Sequence, residues 1–98
     1  MHFLLFYEVI PDYAERRDVY RSEHLALAWK ACDEGQLILG GALTDPIDGA
    51  LLLFKGDSPE VAESFARNDP YVKNGLVTRW WVRSWHTVTG ATAVSPMR

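Results

Sequence analysis

The chain has 98 residues, of which 48% are hydrophobic and 23% charged, enough for one small globular domain and no second one. Ten Lys and Arg against thirteen Asp and Glu leave a formal charge of -3, so no overall positive field draws the chain to nucleic acid or to an acidic membrane surface. The single cysteine, Cys32, excludes an internal disulfide and a Cys-pair metal site, and reads as a small apolar side chain in the core.

Residues His2 to Ile10 are mostly aromatic and aliphatic and stop at Pro11-Asp12, which predicts a strand followed by a breaker. Its apolar run, Phe3 to Tyr7, breaks at Glu8 and lacks both a basic leader and a small-residue cleavage site. Nothing approaches the ~20 residues of a bilayer span, so a cytoplasmic protein with no membrane association is expected. From Asp12 to Glu34 the spacing turns helical, with Val19, Tyr20, His24, Ala28 and Ala31 at steps of three and four, and Gly35 caps the end. Leu37 to Leu43 predicts a second strand, loosened at Gly40-Gly41. Thr44 to Gly49 is a hairpin-like turn, and Ala50 to Lys55 a third strand.

Ser58-Pro59-Glu60 is a helix start, with Ser58 as N-cap and Pro59 in the first turn. Val61, Ala62, Phe65 and Ala66 form its apolar stripe, and Pro70 ends the helix near Arg67 or Asn68. Val77 to Val88 predicts a long fourth strand carrying Trp80, Trp81 and Trp85. The order is βαββαβ, an α+β ferredoxin-like sandwich with an antiparallel sheet. Residues 1–90 make the single domain. Residues 91–98 form a short polar tail, expected to be mobile or in contact with another chain.

On the first strand Leu4, Phe6 and Ile10 alternate with Phe3, Leu5, Tyr7 and Val9, so neither face is polar. Two helices cover only one face of such a sheet, and no element is left for the other. A homodimer packed sheet to sheet is therefore expected.

Two residues stand out chemically. His24, on the apolar side of the first helix, is either a core histidine satisfied by a backbone carbonyl or a neutral imidazole able to exchange a proton near pH 7. Asp69 follows the second helix, where the dipole disfavours a carboxylate. It either caps a short turn beginning Pro70-Tyr71-Val72 or orients His24, and the two roles are compatible. Arg21 is a solvated charge paired with an acid such as Asp18, or a partner for a substrate carboxylate. Tyr7 and Tyr71 are core aromatics or hydrogen-bond donors to a substrate pocket. His2 and His86 lie at strand ends and have no evident partner.

The segments Arg21-Ser22-Glu23-His24-Leu25, Asp33 to Leu37 leading to Gly40-Gly41-Ala42, and Asn68-Asp69-Pro70-Tyr71-Val72 with Gly75 resemble the YCII-related family, in that order and spacing over roughly residues 3–86. The resemblance implies the dimeric α+β barrel fold and a paired His and Asp lining a pocket, which fall on His24 and Asp69. It also implies cofactor-independent chemistry, since the family includes a dehydrochlorinase acting on a chlorinated hydroxymuconate.

The alternating Arg79, Trp81, Arg83 and Trp85 resemble a base-stacking surface. The third strand, however, is Ala50 to Phe54 and offers no aromatic platform, which argues against RNA. Paired metal-ligand motifs, a phosphate loop and a serine elbow are all missing, so neither a metal nor a cofactor is expected. The reading is a lyase or isomerase using His24 and Asp69 on a small anionic unsaturated metabolite. The alternative is a non-catalytic small-molecule-binding module of the same fold.

Overall fold

Alternation along the first strand sets the layers: Phe3, Leu5 and Tyr7 are buried, whereas Leu4, Phe6 and Glu8 are only partly covered. The computed structural model describes all 98 residues. The elements are β1 (His2–Val9), α1 (Tyr13–Arg16), a 3-10 turn (Arg17–Val19), α2 (Arg21–Asp33), β2 (Leu37–Leu43), β3 (Gly49–Lys55), α3 (Glu60–Asn68), α4 (Pro70–Lys73) and β4 (Val77–Trp85). The four strands form one sheet in the order β2-β3-β1-β4, every neighbouring pair antiparallel. This is the ferredoxin-like α+β arrangement of two split βαβ units.

The core lies between sheet and helices. Phe3, Leu5, Tyr7, Leu52 and Phe54 project into it from the strands, and Ala62, Phe65 and Ala66 from α3. Ser58 Oγ accepts from Glu60 N at 3.3 Å and helps start α3, but the N-cap position is Pro59, one residue after the expected Ser58. In contrast, α2 buries only Ala31 and leaves Leu25 and Trp29 exposed, so it lies loosely over the sheet.

Three expectations need correction. The single helix over Asp12–Glu34 is broken into α1, a 3-10 turn and α2, because the chain must turn a corner before running back across the sheet. The fourth strand ends at Trp85 rather than Val88. Trp80 faces the helices beside Tyr7 and Val82, while Trp81 and Trp85 share the opposite face with Phe6 and Leu4. His2, for which no partner was expected, is buried and its Nδ1 lies 2.8 Å from Thr87 Oγ1.

Thr87 also holds the C-terminal segment. Its Oγ1 accepts from Val94 N at 2.9 Å and its carbonyl from Ser95 N at 3.1 Å, while Met97 N donates to Val88 O at 2.8 Å. The tail thus folds back beside the start of β1. Replacing Thr87 by Val strips a partner from both His2 and Val94 N. The expected cost is about 1–3 kcal/mol, the range for a buried polar group left unsatisfied. Urea melting checks the loss, and hydrogen exchange at the Val94 amide should accelerate.

Candidate functional site

The site is built outward from Asp69. Pro70 disfavours helical backbone at the residue before it, and Asp69 accordingly sits at φ -71 and ψ 123, which ends α3. The same residue caps α4, its Oδ1 accepting from Tyr71 N at 3.0 Å. The carboxylate is fully buried, and two other elements bring groups to it. Tyr7 OH, from β1, donates to Oδ2 at 2.7 Å, and His24 Nδ1, from α2, lies 2.9 Å from Oδ1. Cap and imidazole partner are one and the same carboxylate.

An Asp69 carboxylate that already accepts two hydrogen bonds takes a third from the ring, which assigns the imidazole proton to Nδ1. Nε2 then carries a lone pair. It has no protein partner and is not sealed from solvent. Tyr71 stacks on the ring with centroids 4.0 Å apart and planes 10° from parallel, and Phe65 meets it edge-on at 6.3 Å. With Nδ1 held and both ring contacts fixed, the imidazole keeps one orientation. An imidazole so arranged can take up or release a proton at Nε2.

His24 lines a cavity of about 360 Å³ between α2 and the β2–β3 half of the sheet. The size is at the low end for small-molecule sites, roughly 300–1,000 Å³. Small residues on the strands make the room: a Cβ at Gly40 would stand 3.3 Å from Leu52 side-chain carbons. Cys32 is partly buried: it packs against the core as expected and also lines this cavity. Arg21 combines both of its expected positions, 3.9 Å from the exposed Asp18 and on the cavity wall. Tyr7 and Tyr71 line it too.

Sequence reasoning missed Tyr13 and Arg17, which also line the cavity. Tyr13 is buried and meets Tyr71 edge-on at 5.6 Å, and the Arg17 guanidinium lies 5.5 Å from the centre of the Tyr13 ring. Burial raises the pKa values of Tyr7 and Tyr13, with the negative Asp69 adding to the rise at Tyr7. The Tyr71 phenol is pushed up to about 12, first by burial and then by Tyr13. No group of three or more His, Cys, Asp and Glu residues converges anywhere in the chain, and no helix is long and apolar enough to cross a membrane.

The YCII-related domain model matches residues 1–86. Among solved structures, the chain is similar to 5-chloro-2-hydroxyhydroquinone dehydrochlorinase from Burkholderia phenoliruptrix AC1100, determined in complex with 2,5-dihydroxybenzoquinone. That match has 26% identity and a TM-score of 0.74, and covers 89% of this chain and 95% of the other. A NIPSNAP family protein from Agrobacterium tumefaciens is similar at 17% identity and a TM-score of 0.57, covering 99% and 97% of the two chains. A second A. tumefaciens protein, Atu4242, matches at 15% identity, 0.57, and 98% of each chain. These last two concern the fold alone. Comparison with curated proteins finds no significant match. The dehydrochlorinase is named for a hydroxylated ring, where the sequence resemblance had suggested an open-chain muconate.

Tyr7 gives this site a measurable pH signature. Its pKa is higher folded than unfolded, so its contribution to stability is complete below the ordinary tyrosine pKa of about 10 and is lost as pH rises above it. The unfolded chain ionises first. Tyr7→Phe is expected to flatten the alkaline fall in stability by up to about 1.4 kcal/mol per pH unit. Urea melts of both proteins between pH 8 and 11 check this, and equal slopes would refute it.

Proposed function

The chain belongs to the YCII-related family, and from that membership and the Asp69–His24–cavity arrangement we propose that it is a small cytoplasmic, cofactor-independent enzyme of lyase or isomerase type. Its substrate is a small anionic unsaturated molecule, and a hydroxylated six-membered ring fits the volume beside His24. The carrying observation is that His24 is tied to a buried carboxylate through Nδ1 while Nε2 has no protein partner.

In this reading His24 Nε2 takes a proton from an acidic carbon or hydroxyl of the substrate. The electron pair left behind moves into the conjugated system. In an elimination it expels a leaving group such as chloride from the neighbouring carbon, and the products are the unsaturated molecule, the halide and one proton. In an isomerisation the same imidazolium returns the proton to another carbon. Neither course needs an oxidant, a reductant or a cofactor. Asp69 orients and stabilises the imidazolium, Tyr7 holds Asp69 in place, and Arg21 faces the developing oxyanion. The 26% identical dehydrochlorinase supports this class of chemistry.

We also propose that the protein works as a homodimer, joined through the sheet face away from the helices. Leu4, Phe6, Leu51, Leu53, Trp81 and Trp85 line that face, and Trp85 is 46% exposed. All the chain's own helices pack on the other side. A second copy presents the same apolar surface in return.

Two outcomes are expected. With 2,5-dihydroxylated and chlorinated ring substrates or muconates, the native chain should release chloride or exchange carbon-bound hydrogen with deuterated solvent. His24→Ala should slow this by 10²-fold or more and Asp69→Asn by at least tenfold, with circular dichroism unchanged. Binding of these compounds by the native chain without turnover or exchange would overturn the enzyme reading in favour of a binding module. Light scattering at micromolar concentration should give twice the 11.1 kDa chain mass, and Trp81→Glu should halve it. A native particle of single-chain mass would refute the dimer.

A further inference from the structure

Arg17 is in an unusual chemical position. Its Nε is the one buried side-chain nitrogen or oxygen in the protein without a hydrogen-bond partner, and no carboxylate pairs with its guanidinium. A guanidinium brings five donors in a rigid fork and keeps its charge at any relevant pH, so leaving it unpaired and partly buried is costly. Arg17 sits in the 3-10 turn at the corner before α2, and solvent is available on the outer side of that corner, where Arg16 and Asp18 are exposed.

The surroundings identify what the fork lacks. The cavity wall includes Arg17, Arg21 and His24 and not a single carboxylate, in a chain whose net charge is -3. Arg21 is only loosely neutralised, by exposed Asp18 at 3.9 Å. The Arg17 guanidinium lies 5.5 Å from the Tyr13 ring centre, Tyr13 meets Tyr71, and Tyr71 stacks on His24. One continuous aromatic wall therefore runs from the proton-transferring imidazole to a guanidinium that no carboxylate neutralises.

We infer that Arg17, supported by Arg21, is the specificity-determining residue of this cavity and selects ring substrates that carry a carboxylate at the end away from His24. The inference rests on the proposed assignment of the cavity as the substrate site. A planar fork matches a planar carboxylate in a way that a neutral group of equal shape does not. Binding turns the guanidinium from the Tyr13 ring toward the ligand and provides Nε with its missing acceptor.

The test compares 2,5-dihydroxybenzoate with 2,5-dihydroxybenzamide, which share ring and shape and differ in charge, by isothermal titration calorimetry. The native protein should bind the carboxylate at least about tenfold more tightly, the scale of one charge-assisted hydrogen bond. Arg17→Gln should bring the two ligands within about threefold of each other, chiefly by weakening the carboxylate. Arg17→Lys, which keeps the charge and loses the fork, should fall between. Equal binding of both ligands by the native protein, or a preference that survives Arg17→Gln, overturns the inference and leaves the acid–base reading standing. The carboxylate preference should persist in His24→Ala, so it can hold even if turnover is never found. Binding of neither ligand overturns the inference together with the assignment of the cavity.

Discussion

Asp69 is a carboxylate with no access to water, and the cost of burying it is offset only because three parts of the chain deliver donors to it. One is the backbone of α4, one the first strand through Tyr7, and one the crossover helix through His24. Each donor is separated from the others by packing that would not otherwise need to agree to a few tenths of an ångström. Removing any one leaves the carboxylate short of a partner, at about 1–3 kcal/mol, so the sheet, α2 and α4 are held to a single arrangement by one side chain. The same requirement orients the imidazole. The stability of the fold and the orientation of the imidazole therefore rest on one interaction.

The loose seating of α2 follows from a different constraint. Its partner α3 buries Ala62, Phe65 and Ala66 against the sheet, whereas α2 fully buries only Ala31, packs Leu27, Ala28 and Cys32 partly against the core, and stands over a cavity floored by Gly40, Ala42, Ala50 and Leu52. Filling that space would add apolar burial worth about 25 cal/mol for each Å² covered. Holding it open forgoes that gain, a common trade at sites that must admit a ligand. The stabilisation given up beneath α2 is partly regained where His24 stacks on Tyr71 and Tyr71 meets Tyr13, contacts of about 0.5–1.5 kcal/mol each.

Much of this was legible in the sequence. The change from the continuous apolar run at Phe3–Tyr7 to helical spacing, the Gly35 stop, the Ser58-Pro59 start and the Asp69-Pro70 break each correspond to a local backbone rule, and together they yield the element order. Asp69 could be read as a cap because capping is local. Its contacts with Tyr7 and His24 span 62 and 45 residues, and the sequence suggested only the second, as one of two roles open to Asp69 that the family resemblance then reinforced. Arg17 stayed hidden because helical spacing was extended through the 3-10 turn. There the change in pitch rotates the side chain out of register with α2. His2 and Thr87 stayed hidden for another reason: 85 residues separate them, and their pairing depends on a tail that folds back after β4 has ended.

Adjacent residues of β1 show how few positions carry the design. Tyr7 points to the helices and holds Asp69, while Phe6 points the other way and stacks on Trp81 with centroids 5.2 Å apart, the Arg79 guanidinium lying 4.5 Å from the Trp81 ring centre. The strand period of two keeps these environments apart, so one peptide plane separates the helix-side core from the outer apolar face. The cross-strand register ties them together again: Tyr7 lies opposite Trp80 and Phe6 opposite Trp81, and the bulge that skips Thr78 comes only after Glu8 pairs with Arg79. A one-residue slip of β4 would carry Trp80 out of the helix-side core and Trp81 into it. The burial of Tyr7 and the donor it supplies to Asp69 therefore depend on aromatic packing along both faces of the same two strands.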